Sequence, residues 1–198
     1  MKLATLALAL GLSAPAFAST TFTVDFEKSW DYGQMVDASY AASGVTFTNV
    51  MGLSNGDGLG SLPDGSYYAG APSPQGVGFV QLDGVVNTAA YMNVAGGVVG
   101  GLSFFYSSPS DVSFAISAYS GLNGTGTLLG TINLTANSAD YTTWTQAVLT
   151  FGGVAQSFDL TGAANVVGLD NISAVPEPTS VAMLLAGATL LLARRRRG

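Results

Sequence analysis

Alternation of apolar and polar residues with a period of two is common between Ser19 and Ala174, and no helical period is sustained there. That is the signature of strands with one face buried. Phe22, Val24 and Phe26 alternate with Thr21, Thr23 and Asp25, and Val112, Phe114, Ile116 and Ala118 alternate with Ser113, Ala115, Ser117 and Tyr119. Leu102, Phe104 and Tyr106 form a further apolar face. From Trp144 to Phe151 both alternating sets are largely apolar, which predicts a strand buried on both sides. The pattern places further strands at Val45 to Val50, Val77 to Leu82, Ala90 to Val94, Leu128 to Leu134 and Val166 to Ile172.

Turn-forming residues separate these runs. Gly121-Leu122-Asn123-Gly124-Thr125-Gly126 reads as a hairpin loop, because glycine and asparagine tolerate the positive φ of tight turns. Gly52 to Pro74 is rich in Gly, Ser, Pro and Asp and reads as a surface excursion. Nine or ten short strands in roughly 155 residues predict an all-β fold, a two-sheet jelly-roll-like β-sandwich.

The pattern changes at both ends. Lys2 precedes an apolar run of about ten residues, and Ala16-Phe17-Ala18 supplies small residues behind Pro15. This is the three-part layout of a secretory signal peptide, so residues 1–18 are expected to be a signal helix cut by signal peptidase after Ala18. At the other end, Pro176-Glu177-Pro178 is followed by an uncharged apolar run from Thr179 to Ala193, then Arg194, Arg195, Arg196 and Arg197. As a helix the run would be about 22 Å long, short against a bilayer core of about 30 Å. Arginine stems can close part of that gap, and the Arg block would keep the C-terminus cytoplasmic and the body outside. The expected organisation is a signal peptide at 1–18, a β-sandwich ectodomain at 19–174 and a C-terminal segment at 175–198 with a transmembrane helix at 179–193.

The order Pro-Glu-Pro, short apolar helix, terminal Arg cluster resembles the PEP-CTERM sorting signal, over Val175 to Gly198. The resemblance implies an exosortase, an integral-membrane transpeptidase-like enzyme, as the partner that recognises and processes the tail. It also implies a Gram-negative bacterium that makes extracellular polysaccharide. Localisation would be the inner membrane first, then the cell envelope, cell surface or extracellular matrix. The body itself resembles, at the level of fold, jelly-roll carbohydrate-binding-like sandwiches, through Phe26-Glu27 near its start and Leu169-Asp170-Asn171-Ile172 near its end.

Charge narrows the function. Between Ser19 and Val175 eleven acids face one base, Lys28, so the body carries about −10. Such a surface repels phosphate backbones and excludes nucleic acid as a partner. The chain has no cysteine and no histidine, which removes disulfides, thiolate sites and the commonest general base.

Three groups of residues carry candidate chemistry. Asp25 and Glu27 stand two apart on a strand, on one face, and Asp170 and Asn171 lie in the last strand, where the spacing of Leu169 and Ile172 hints at a bulge. Pairing of the first and last strands would gather three carboxylates and an amide, an oxygen-only set suited to a structural Ca²⁺. The alternative is a hydrogen-bonded strand end in which Asp170 caps a turn. Calcium also sits in a similar place in many carbohydrate-binding sandwiches, as the resemblance implies. Trp30, Tyr32, Tyr67 and Tyr68 fall in expected loops and are candidate sugar contacts. Asp31, Asp37, Asp83 and Asp111 are numerous enough for a glycosidase pair, but nothing selects two of them. The expected function is therefore a non-enzymatic, polysaccharide-associated surface or matrix protein. A carbohydrate-binding module with calcium is the alternative, and a glycosidase the third.

Overall fold

The computed structural model describes residues 20–31, 33–54, 70–81 and 88–175. The expected signal helix, the Pro-Glu-Pro tripeptide, the helix at 179–193 and the Arg tail lie outside the described residues. So do Tyr32, Tyr67, Tyr68 and Asp83. Among the described residues no helix is long and apolar enough to cross a membrane.

The fold is all-β. Its strands are β1 (Thr23–Val24), β2 (Val45–Thr48), β3 (Met51–Ser54), β4 (Gly76–Phe79), β5 (Tyr91–Ser107), β6 (Val112–Tyr119), β7 (Leu128–Leu134), β8 (Thr145–Asp159) and β9 (Gly168–Val175). All pairings are antiparallel, and the hydrogen-bonded order is β3-β4-β9-β5-β8-β6-β7, with β1 also on β9 and β2 on β5.

The two expected sheets turn out to be one sheet that bends. Its two longest strands, β5 and β8, run through both layers. Near their one end, Tyr91–Asn93 of β5 pairs with Ser157–Asp159 of β8, next to β2 and β6. Near the other, Gly101–Tyr106 pairs with Thr145–Thr150, next to β9. Between these halves the register slips at Asn93/Val98 and again at Val99/Gly101. Gly97 (φ 78°), Gly100 (φ 94°) and Gly153 (φ 86°) occupy the bends. A backbone with positive φ accepts glycine without steric cost, so strands kink there and the layers face each other. The stretches Ala90–Val94 and Leu102–Tyr106, expected as two strands, are thus one.

Most buried residues form one core between the layers, including Val24, Phe26, Phe47, Met92, Leu102, Phe104, Ile116, Phe158, Leu169 and Ile172. Phe26 follows β1 and Phe47 lies on β2, and their ring centroids are 6.1 Å apart. A second cluster joins Met51, Leu53, Val77, Phe79 and Tyr141, with Trp144 packed on it. Side chains alternate along a strand, so β3 and β4 turn these residues one way and Gly52, Gly76 and Gly78 the other. Gly52 to Ser54, expected to open a surface excursion, therefore belong to the strand Met51–Ser54, three of whose four residues are buried.

Two other expectations change. The strand after Trp144 is not buried on both sides: in that half of β8 only Leu149 is buried, and Val148 is 45% exposed. Phe114, expected to face inward with Val112 and Ile116, is 67% exposed, while Ala115 takes the core position at 0%. A register slip between Val112 and Ile116 causes the exchange. Phe114 has φ 53°, a strained backbone for an aromatic residue. Its carbonyl lies so close to Gly162 that a Cβ there would come within 2.1 Å of the oxygen. Gly162→Ala should therefore cost about 2 kcal/mol and lower Tm by roughly 5 °C in a thermal melt; an unchanged melt would show that the bulge is not pinned from this side.

Candidate site where the chain ends of the body meet

As expected, the first and last strands pair: Thr23 faces Ser173 and Val24 faces Ile172. Both strands then deform. Phe26 turns out of β1 with φ 52°, and Asn171 bulges in β9 with φ 48°. The bulge lets Leus and Iles spaced by three both point inward: Leu169 and Ile172 are 0% and 1% exposed. It also turns the Asp170 side chain into the interior, where it is 0% exposed.

There Asp170 acts as a clamp. Its Oδ1 accepts the N–H of Asn171 at 2.7 Å, and its Oδ2 accepts the N–H of Ser73 at 2.7 Å. The Ser73 hydroxyl donates to Asn171 Oδ1 at 3.0 Å. Glu27 holds the same turn one step further on, its Oε1 accepting Gln75 N–H at 2.7 Å and Gly76 N–H at 3.3 Å. Asp25 Oδ1 accepts the Glu27 N–H at 3.2 Å and the Tyr40 hydroxyl at 3.1 Å. Three carboxylates therefore fasten β1, β9 and the turn entering β4 through five backbone N–H groups.

The electrostatics follow from burial and like charge. Burial, joined by the charges of Glu27 and Asp25, pushes the Asp170 carboxyl up to about 7 against the opposing pull of the Ser73 and Asn171 N–H groups. Burial also raises the Tyr40 hydroxyl above its usual value, with the charge of Asp25 adding to it. Lys28, the base nearest this cluster, has its ammonium 4.7 Å from the Tyr40 ring centroid and 5.7 Å from that of Trp30, and donates to Ser39 O at 2.9 Å. Beside it opens a cavity of about 300 Å³ lined by Lys28, Ser29, Ser54, Pro74 and Gln75.

The four residues expected as calcium ligands are thus neighbours, but they are engaged with backbone N–H groups. Among the described residues no three acidic side chains gather as a metal-holding group. Trp30 is a correction. Expected as an exposed sugar contact, it is 4% exposed, and its Nε1 donates to Phe26 O at 2.9 Å. Its ring fills the space over Gly52, where a Cβ would come within 2.0 Å of Cδ2. A ring so enclosed has no face left for a sugar. Asp31, Asp37 and Asp111 are exposed and scattered, and Asp111 caps Ala136 N–H at 2.8 Å. Ser73, Tyr40 and Gln75 belong to the site without having been foreseen; Ser73 lies 97 residues from Asp170, and no local spacing links them.

No protein-family model and no curated protein sequence matches the chain. Among solved structures it is similar to CsCBM6-3 from Clostridium stercorarium in complex with cellobiose, at 13% identity over 82% of this chain and 100% of that one, TM-score 0.42. It is similar to the K1 cleaved adhesin domain of Lys-gingipain from Porphyromonas gingivalis, at 17% identity over 80% and 99%, TM-score 0.42. A third is the CBM22-1 xylan-binding domain of Paenibacillus barcinonensis Xyn10C, at 12% identity over 80% and 95%, TM-score 0.38.

Proposed function

We propose that this is an exported, non-enzymatic surface or matrix protein that displays a β-sandwich among extracellular polysaccharide. The observation that carries the reading is the order along the chain: apolar segments at both extremities bracket an acidic middle rich in Ser, Thr and Asn. An acidic, polar body between two membrane-seeking ends belongs across a membrane from its site of synthesis. Signal peptidase would cut after Ala18. The segment 179–193 would hold the chain in the inner membrane, and an exosortase-like enzyme would act at Pro176-Glu177-Pro178. Mass spectrometry of the native mature chain tests this. A start at Ser19 and an end near the Pro-Glu-Pro are expected, whereas an intact Arg194–Gly198 tail would make the segment a permanent anchor.

A carbohydrate-binding module with calcium is the second reading, favoured by the surplus of negative charge around Asp170, where Asp25 and Glu27 both act on it. Asp25, Glu27, Asp170 and Asn171 would supply its oxygens, and Asp170 would have to release an N–H to do so. Melting the protein in 5 mM Ca²⁺ and in EGTA decides: a higher Tm in Ca²⁺ that Glu27→Gln abolishes supports an ion, and coincident melts leave the hydrogen-bonded clamp alone. Glycoside hydrolysis would need two placed carboxyls, and Glu27, the one glutamate between Ser19 and Val175, already holds two N–H groups. No reducing sugar should be released from extracellular polymers.

A further inference from the structure

Among the described residues three aromatic side chains stand on left-handed backbone: Phe26, Phe114 and Tyr141. Phe26 and Tyr141 bury their rings, at 0% and 9% exposure, whereas Phe114 holds its ring in solvent at 67%. Neither burial nor local propensity accounts for that. Regular alternation would have buried it beside Val112 and Ile116, and a strained bulge places Ala115 there instead. The bulge is secured from two sides. Asn133 Oδ1 accepts the Phe114 N–H at 2.8 Å, and the Phe114 carbonyl sits against Gly162, where only a glycine fits. Strain kept in place by independent contacts marks a position with a task.

The surroundings indicate the ligand chemistry. In a strongly acidic body, β6 and β7 carry no charged residue. Ser113, the chain neighbour of Phe114, and Asn133, its hydrogen-bond partner, are exposed, as is Thr131 two residues before Asn133 on β7, where Thr131 Oγ1 lies 3.1 Å from Ser117 Oγ and donates to Ile116 O at 3.2 Å. The other exposed large apolar residues among those described, Met35, Leu122, Leu128 and Val148, lie on other elements or at the far end of β7 and do not extend the ring of Phe114 along β6. A single rigid ring among neutral hydroxyls and amides suits a neutral pyranose. The sugar's C–H face carries partial positive charge toward the negative face of the ring, and its hydroxyls meet the Ser, Thr and Asn groups.

We infer that Phe114 is a saccharide-stacking platform, with Ser113, Thr131 and Asn133 as its polar rim. The inference rests on the polysaccharide reading above and gives it a site. The test is affinity electrophoresis of the full chain, solubilised in a polyoxyethylene detergent that has no sugar headgroup, through gels containing hydroxyethylcellulose, xylan or dextran. Retardation by at least one polymer is expected, weakened at least tenfold by Phe114→Ala and retained by Phe114→Trp. Phe114→Gly, which fits the backbone without strain, should raise Tm while losing the retardation, so loss of binding cannot be ascribed to unfolding. Retarded wild type with equally retarded Phe114→Ala overturns the platform and leaves the polysaccharide reading standing. Wild type that no polymer retards overturns both. Self-association that Phe114→Ala abolishes, without retardation, overturns the platform in favour of a contact between copies.

Discussion

Asp170→Ala is expected to lower the unfolding free energy by about 3 kcal/mol at pH 5, because it leaves the buried N–H of Ser73 and the part-buried N–H of Asn171 without acceptors. The loss should shrink as pH rises. The native carboxyl is pushed up to about 7 against a value of 3.8 in the absence of the fold. Between those two values the folded chain binds the proton and the unfolded chain has released it. The stability this proton contributes is therefore fully present below about pH 4 and is lost as pH rises through about 7. With part of the field screened by solvent, the change is on the order of 2–3 kcal/mol. Urea midpoints at pH 4.5, 6 and 7.5 should fall in that order for the wild type, and Asp170→Asn should flatten the series. Asp140, whose carboxyl Thr142 and Ser138 hold below its usual range, should not disturb that flat series, because its contribution is lost only as pH falls below the ordinary carboxylate value, outside this window. A wild-type midpoint that climbs from pH 4.5 to 7.5 would mean that a cation or base, not a proton, balances Asp170.

Phe26→Ala should cost about 4 kcal/mol. The ring is fully buried, meets Tyr40 edge-on at 6.0 Å and Phe47 at 6.1 Å, and spans from the end of β1 to β4. Its tip lies over Gly78, where an added Cβ would come within 2.4 Å of Cζ. Gly78→Ala alone should therefore cost about 2 kcal/mol, from a ring forced off its rotamer. In the Phe26→Ala background the same substitution should cost nothing or recover part of the loss, since the methyl group then enters the vacated space. The coupling between the two changes should be at least about 2 kcal/mol. Additive losses would show that the ring and the glycine do not share that space.

The two predictions bear on one region because β1, β9 and β4 meet there, and its legibility in the chain was uneven. Short-range pattern was enough for the extents of β6 and β7, found from Val112 to Tyr119 and from Leu128 to Leu134 as expected, although inside β6 the alternation breaks at Phe114. The Leu169–Ile172 spacing correctly indicated a bulge, and pairing of first strand to last was foreseen. The sandwich geometry was less accessible. Whether two alternating runs separated by Ala95–Gly101 are two strands or one bent strand depends on where glycines at 97 and 100 find partners across β8, a matter of register and not of local preference.

Composition and periodicity by themselves determined the all-β class, the acidic body, the exclusion of histidine and cysteine chemistry and most strand positions, because each depends on residues a few positions apart. Tertiary structure alone decided which aromatic is buried and which exposed. Trp30 went inward because Gly52, on β3, left room for its ring. Phe114 went outward because Asn133 and Gly162 held a bulge open. It likewise decided that Asp170 reaches Ser73 across 97 residues. Alternation states only that a side chain has two faces to choose from, and the choice belongs to neighbours that the chain brings up from a distance.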